Sequence, residues 1–172
     1  MFRIAWQLPT AVAVAALAVV ALGPSVATLP AVALAATIPE LTRVDLTERR
    51  LPNRQVVPGL VVGLVAAAGS WLATGEPPLV PLIAALMFGG LLFVLALAGG
   101  VGMGDAKLAA LIGLASPTAA VAVVAPVAAF VLGGLASVVV LVRRGAGIRI
   151  PFGPFLLAGY VIALATSVLH AG

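Results

Sequence analysis

The 172-residue chain contains no cysteine and a single histidine, His170, two residues from its C-terminal end. Disulfide bonds, a thiol nucleophile and a cysteine-ligated zinc are therefore excluded, and one histidine cannot build a histidine metal centre. Charge is scarce too. Only 8% of residues are charged, where an ordinary globular domain carries about 25%. Five residues are acidic, and just two of those, Asp45 and Asp105, are aspartates. What is abundant is apolar surface: 63% of residues are hydrophobic and the mean hydropathy is +1.29. A soluble fold of this length could not hide that much apolar surface beneath so few polar groups. The composition calls for a bilayer as solvent and for an all-α, polytopic integral membrane helix bundle. Nine basic residues against five acidic ones give a net charge of +4. In a membrane protein such an excess marks cytoplasmic loops, not a nucleic-acid partner.

Gaps between charges set the expected topology. Charge-free runs cover 4–39, 55–75, 77–104, 108–142 and 150–172. A crossing helix needs about 20 residues. The first and fourth runs would make straight helices of about 54 and 52 Å, too long for one pass, and each contains a break, Gly23-Pro24-Ser25 and Ser116-Pro117-Thr118. Seven crossings are expected, near 6–22, 26–44, 56–74, 79–98, 105–115, 118–142 and 152–169. With the N-terminus in the cytoplasm, all nine basic residues fall inside and Glu76 falls outside, as the positive-inside rule requires. Six crossings would result if the short fifth helix were re-entrant or if the first were removed as a signal peptide ahead of Ser25-Val26-Ala27. The longest polar stretch, about 39–55, reads as a basic cytoplasmic loop that lies on anionic membrane lipid. The whole chain, 1–172, reads as one transmembrane domain.

Ionisable groups at membrane depth are costly, so the two aspartates are the candidates for chemistry. Asp45 sits at the expected end of the second helix, in Val44-Asp45-Leu46-Thr47-Glu48-Arg49-Arg50-Leu51-Pro52-Asn53. By itself it would be explained as a helix-end carboxylate paired with Arg43 or Arg49. Asp105 follows Gly99-Gly100-Val101-Gly102-Met103-Gly104. Those glycines allow a sharp bend, and Asp105 then reads as the N-cap of the fifth helix, with Lys107 reaching the interface. Together the two are more informative. Both are expected on the cytoplasmic side, where two helices could bring them together, and two carboxylates on one membrane face suggest an aspartyl-protease dyad, in which one shared proton lets one group act as base and the other as acid. Such a pair needs no metal, cofactor, thiol or histidine.

Three stretches then carry a family resemblance. Asp45 with the following Arg-Arg-Leu-Pro-Asn, the run Gly102-Met103-Gly104-Asp105-Ala106-Lys107-Leu108, and Ile150-Pro151-Phe152-Gly153-Pro154-Phe155-Leu156 resemble, in this order, the motifs of the type IV prepilin peptidases, membrane aspartyl proteases of the GxGD type. The likeness covers about 28–170 and leaves the first helix, 6–22, as an extra. It implies an aspartic endopeptidase of the bacterial cell membrane that cuts the basic leader from type IV prepilins or pseudopilins at the cytoplasmic face. It makes Asp45 and Asp105 the catalytic pair, lets Gly102 and Gly104 shape the bend that presents Asp105, and gives Pro52, Asn53, Lys107, Pro151 and Gly153 supporting positions. Larger members carry a cytoplasmic domain with cysteine pairs and also N-methylate the new pilin terminus. This chain has no room for that domain, so zinc and methyltransferase activity are not expected. The alternatives are a proton- or cation-coupled transporter with Asp45 and Asp105 as relays, an inactive relative in pilus assembly, or a presenilin-like GxGD protease. The two aspartates at one membrane face, the basic loop and the PFGPF stretch favour the prepilin peptidases.

Overall fold

A computed structural model of the chain describes residues 6–48, 51–145 and 150–171. Among them there is helix and no strand, and helices begin and end where the sequence breaks them. The first, α1 (Gln7–Leu22), stops at Gly23, whose φ of 77° lets its amide turn back onto the Val19 carbonyl at 2.9 Å. A single 3₁₀ turn, Val26–Thr28, leads into α2 (Leu29–Glu48). Pro52, with φ −71° and ψ 124°, starts α3 (Asn53–Thr74). Next come α4 (Leu79–Leu97), which contains one π turn at Ala85–Gly89, and α5 (Met103–Leu114). The break expected at Ser116-Pro117-Thr118 is there: the Thr118 hydroxyl accepts from the Val121 amide and caps α6 (Ala119–Arg144). The chain ends in α7 (Gly153–Ala171).

The seven expected helices are present, and the largest departure is at the end of α2. It continues to Glu48, through Asp45, where the sequence suggested a loop over about 39–55. Polarity there marks the edge of the apolar zone and not the end of the helix. Glu, Leu and Arg are good helix formers, so backbone hydrogen bonding persists after hydropathy drops. Four helices, α3, α4, α6 and α7, are long and apolar enough to cross a bilayer, with mean hydropathies of 2.0, 2.6, 2.4 and 1.5. The 16 residues of α1 span about 24 Å, and α2 spends its last third on charged groups. Helix α5 is different again. Its 12 residues reach only about 18 Å, and eight of them are buried, so it is an internal element wrapped by the others.

Hydrophobic burial does little to join helices in lipid, so close packing of small residues has to do it. Gly59 and Gly63 on α3 sit against Leu111 and Leu114 of α5. Gly113 of α5 rests on the backbone of Ala84 and Ala85, at the start of the π turn, and Gly89 at its end receives Ala110. The order of these contacts along the chain makes α3 and α5 parallel. The far end of α5 is tied by Tyr160 of α7, fully buried, whose hydroxyl donates to the Ala115 carbonyl at 2.7 Å. Meanwhile α7 runs along α6 and also touches α1 and α2.

Gly113→Ala should therefore destabilise the bundle by about 1–3 kcal/mol or more, because its methyl would enter the α4 backbone. Gly134→Ala on the open face of α6, with nothing within 4 Å, should be neutral or stabilising by up to about 1 kcal/mol. Thermal denaturation of the two variants in detergent checks the opposite signs.

Candidate active site

The last turn of α2, the first turns of α3 and α5, and the turn into α7 converge at one end of the bundle. Both aspartates are there, on helices that touch each other. Asp45 is 4% exposed and Asp105 8%. Asp105 is not the N-cap expected from the sequence. Helix α5 starts two residues earlier, with Gly102 in extended conformation as N-cap and Asp105 at the third helical position. From there its carboxylate reaches back, and Oδ2 accepts the Gly102 amide at 3.1 Å. A glycine cap has no side chain of its own, so the N3 carboxylate satisfies the otherwise orphaned donor. The positive φ of the glycine run falls on Gly99, at 79°, not on Gly102 or Gly104.

Asp45 is held in the same manner from the other end of the chain. Its Oδ2 accepts the Gly153 amide at 3.0 Å, a buried bond across 108 residues. Glycine is required at that point: a methyl on Gly153 would fall 2.6 Å from the same oxygen. The turn is fixed by aromatic packing, since Phe152 lies against Gly133 of α6 and between Phe130 and Phe155, with ring centroids 5.6 and 6.3 Å away. Pro151 is half-buried just ahead of it.

Arg43 does not pair with Asp45. Its guanidinium forks onto Glu40, one turn back on α2, and Glu40 also accepts from Gln7 of α1 at 3.0 Å. The helical rise turns position 43 away from position 45, whereas i and i+3 lie side by side. The other suggested partner, Arg49, lies outside the described residues. Among the described residues neither aspartate has an ionic partner. Each carboxyl keeps one oxygen on a main-chain amide, and the two are carried by helices in contact. Asp105 Oδ1 is buried with no hydrogen-bond partner.

Of the supporting positions, Gly104 gives way to Leu51: a methyl there would lie 2.8 Å from Leu51 Cβ. Lys107 donates to Asn53 at 3.0 Å, an exposed bond that ties α5 to α3, and Pro52 starts α3 beside it. Two residues were missed. Leu51 stands inside the Arg-Arg-Leu-Pro-Asn stretch that carries the family resemblance, but as an apolar residue in a link it was given no role of its own. Gln55 could have been found as a polar residue in the first turn of an apolar helix. Its Oε1 is buried and unpartnered, and α3–α5 register sets it one turn before the Gly59–Leu111 contact, level with Lys107. Among the described residues no three His, Asp or Glu side chains gather as a metal site would need.

An all-α membrane bundle carrying two buried, amide-clamped carboxyls at one end defines a class of membrane protein with an acid pair at the edge of the apolar zone. Residues 32–142 match the type IV leader peptidase family, and the chain belongs to that family; Asp45 and Asp105 both lie within the match, and Gly153 lies beyond it. No curated protein and no solved structure was found to match the chain.

Losing the bond to Asp45 would forfeit about 1.5–3 kcal/mol, the value of a hydrogen bond to a charged group. Gly153→Ala should accordingly lower peptidase activity by about tenfold to a hundredfold, measured as the rate per unit of protein accumulated in the membrane.

Proposed function

We propose that this protein is an aspartic endopeptidase that removes the basic leader of type IV prepilins or pilin-like proteins at the cytoplasmic face of a bacterial cell membrane. The observation that carries the reading is the pair itself: two buried carboxyls on adjoining helices, each held through one oxygen by a glycine amide and neither neutralised by a cation among the described residues. Membership of the leader peptidase family supports the substrate class. Both groups lie at helix ends on one side of the bundle, which favours hydrolysis at a membrane face over a relay through its middle.

Two carboxyls in one apolar site share a proton. The ionised member takes a proton from water, and the resulting hydroxide attacks the scissile carbonyl. The protonated member hydrogen-bonds the developing oxyanion. As the tetrahedral intermediate collapses, a proton passes to the leaving nitrogen, and the products are a leader carboxylate and a new amino terminus. The amide clamps fix the orientation of each carboxyl so that its second oxygen faces the reaction. The pair titrates as a unit, and either aspartate can start as the base. With the N-terminus inside, the end of the bundle that holds the pair is cytoplasmic, where the charged leader of a membrane-anchored precursor lies.

The test is co-expression with a precursor carrying a basic leader, a glycine junction and an apolar helix, followed by size on a gel. Asp45→Asn and Asp105→Asn keep an oxygen for the glycine amide and lose the ionisable group. Each should slow cleavage by at least about a thousandfold while the protein accumulates normally. Cleavage at the wild-type rate by either variant would remove that aspartate from the mechanism. Precursors of several types left uncut by the wild type would count against the leader peptidase reading as a whole.

A further inference from the structure

Leu51 stands in the short link between α2 and α3, and it touches both segments that hold the acid pair. Its Cβ and backbone lie against Gly104, where an added methyl would come within 2.8 Å of Leu51 Cβ and 3.5 Å of its N and O. Gly104 is the residue before Asp105. The other end of the same side chain faces Gly153, where an added methyl would lie 3.5 Å from Leu51 Cδ1. The amide of Gly153 holds Asp45. Both neighbours are glycines, so no other side chain comes between, and Leu51 itself is half-buried against the core. Pro52 follows at φ −71° and stiffens the link.

We propose that Leu51 is a positioning residue, a spacer whose length sets the separation between the Asp105 turn and the clamp on Asp45. The role in catalysis rests on the reading of Asp45 and Asp105 as the reacting pair; the spacing itself does not. Closely packed interiors transmit a change of side-chain volume to their neighbours. Truncating Leu51 lets the α7 turn move toward Gly104, and enlarging it drives the two apart. A misplacement of about 1 Å in a reacting pair can cost about a hundredfold in rate.

The absence of native cysteine makes the geometry measurable. In a Met103→Cys/Pro154→Cys double variant, which keeps both aspartates and their amide clamps and labels the residues next to Gly104 and Gly153, the two thiols are the only ones in the chain. They are treated in membranes with bis-methanethiosulfonate reagents of graded span, and intact mass reports the intramolecular cross-link. The favoured span should shorten when Leu51→Ala is added and lengthen when Leu51→Phe is added; these opposite shifts are not what misfolding would give. In the chain without the two cysteines, Leu51→Ala should lower kcat for precursor cleavage at least about tenfold with KM changed by less than about twofold, and Leu51→Met, of similar volume, should recover most of the rate. A favoured span that is the same in all three backgrounds overturns the spacer, whatever happens to cleavage. A span that follows residue 51 in a protein whose wild type cuts no precursor upholds the spacer and removes the peptidase reading instead.

Discussion

A carboxyl group buried among alkyl side chains must find its hydrogen-bond donors inside the bundle, and that constraint governs everything at this end of the protein. Burying an ion costs several kcal/mol even after relaxation, and one charge-assisted hydrogen bond returns about 1.5–3. The donors used are main-chain amides at Gly102 and Gly153. An amide is uncharged and short, and it brings no side chain of its own, so it fits where an arginine would crowd the site and neutralise it. The single short ion pair of the described residues, Arg43 with Glu40, is kept a turn away and spent on tying α2 and α1 through Gln7. The acid pair is thus oriented without being quenched.

The same reliance on absent side chains runs through the packing. Helix α5 is too short to span the apolar zone, yet its depth fixes where Asp105 sits. It is positioned from its far end by Gly113 on the α4 backbone, by Ala110 in the pocket left at Gly89, and by Tyr160 on the carbonyl of Ala115. The π turn at Ala85–Gly89 lies against this contact. A helix wrapped on most sides has few ways to slide, so contacts near residue 113 bear on a carboxyl more than two turns away.

How legible was this in the sequence? The helices were, because charge-free length and Gly/Pro/Ser breaks are local signals that the bilayer makes strong. The burial of Asp45 and Asp105 on touching helices was within reach too, because two carboxyls in so apolar a chain stand out as candidates. The end of α2 was not, since hydropathy reports where a helix leaves lipid and not where its hydrogen bonds stop. The N-cap at Gly102 was not, because a carboxylate at the cap and one at N3 reaching back satisfy the same donors and look alike in sequence. The pairing of Arg43 with Glu40 in place of Asp45 follows from helical phase, which only a helix that continues past residue 45 would reveal. Gly153 could be singled out, but its contact with Asp45 could not, because nothing local connects positions 108 residues apart. Leu51 stood within a recognisable stretch, but its contacts with Gly104 and Gly153 could not be read there, since they join segments far apart in the chain.

That long bond also bears on how the protein is made. Helices enter a membrane in the order in which they are synthesised, and Asp45 is complete long before the turn at Gly153 exists. Until α7 arrives, the second helix carries a carboxyl with no main-chain donor to hold it, and the two halves of the site have no common frame. Asp45 therefore stays without its main-chain donor until α7 is in place. Insertion of α7 brings the amide that orients Asp45, so that docking of this helix and orientation of the carboxyl arrive together.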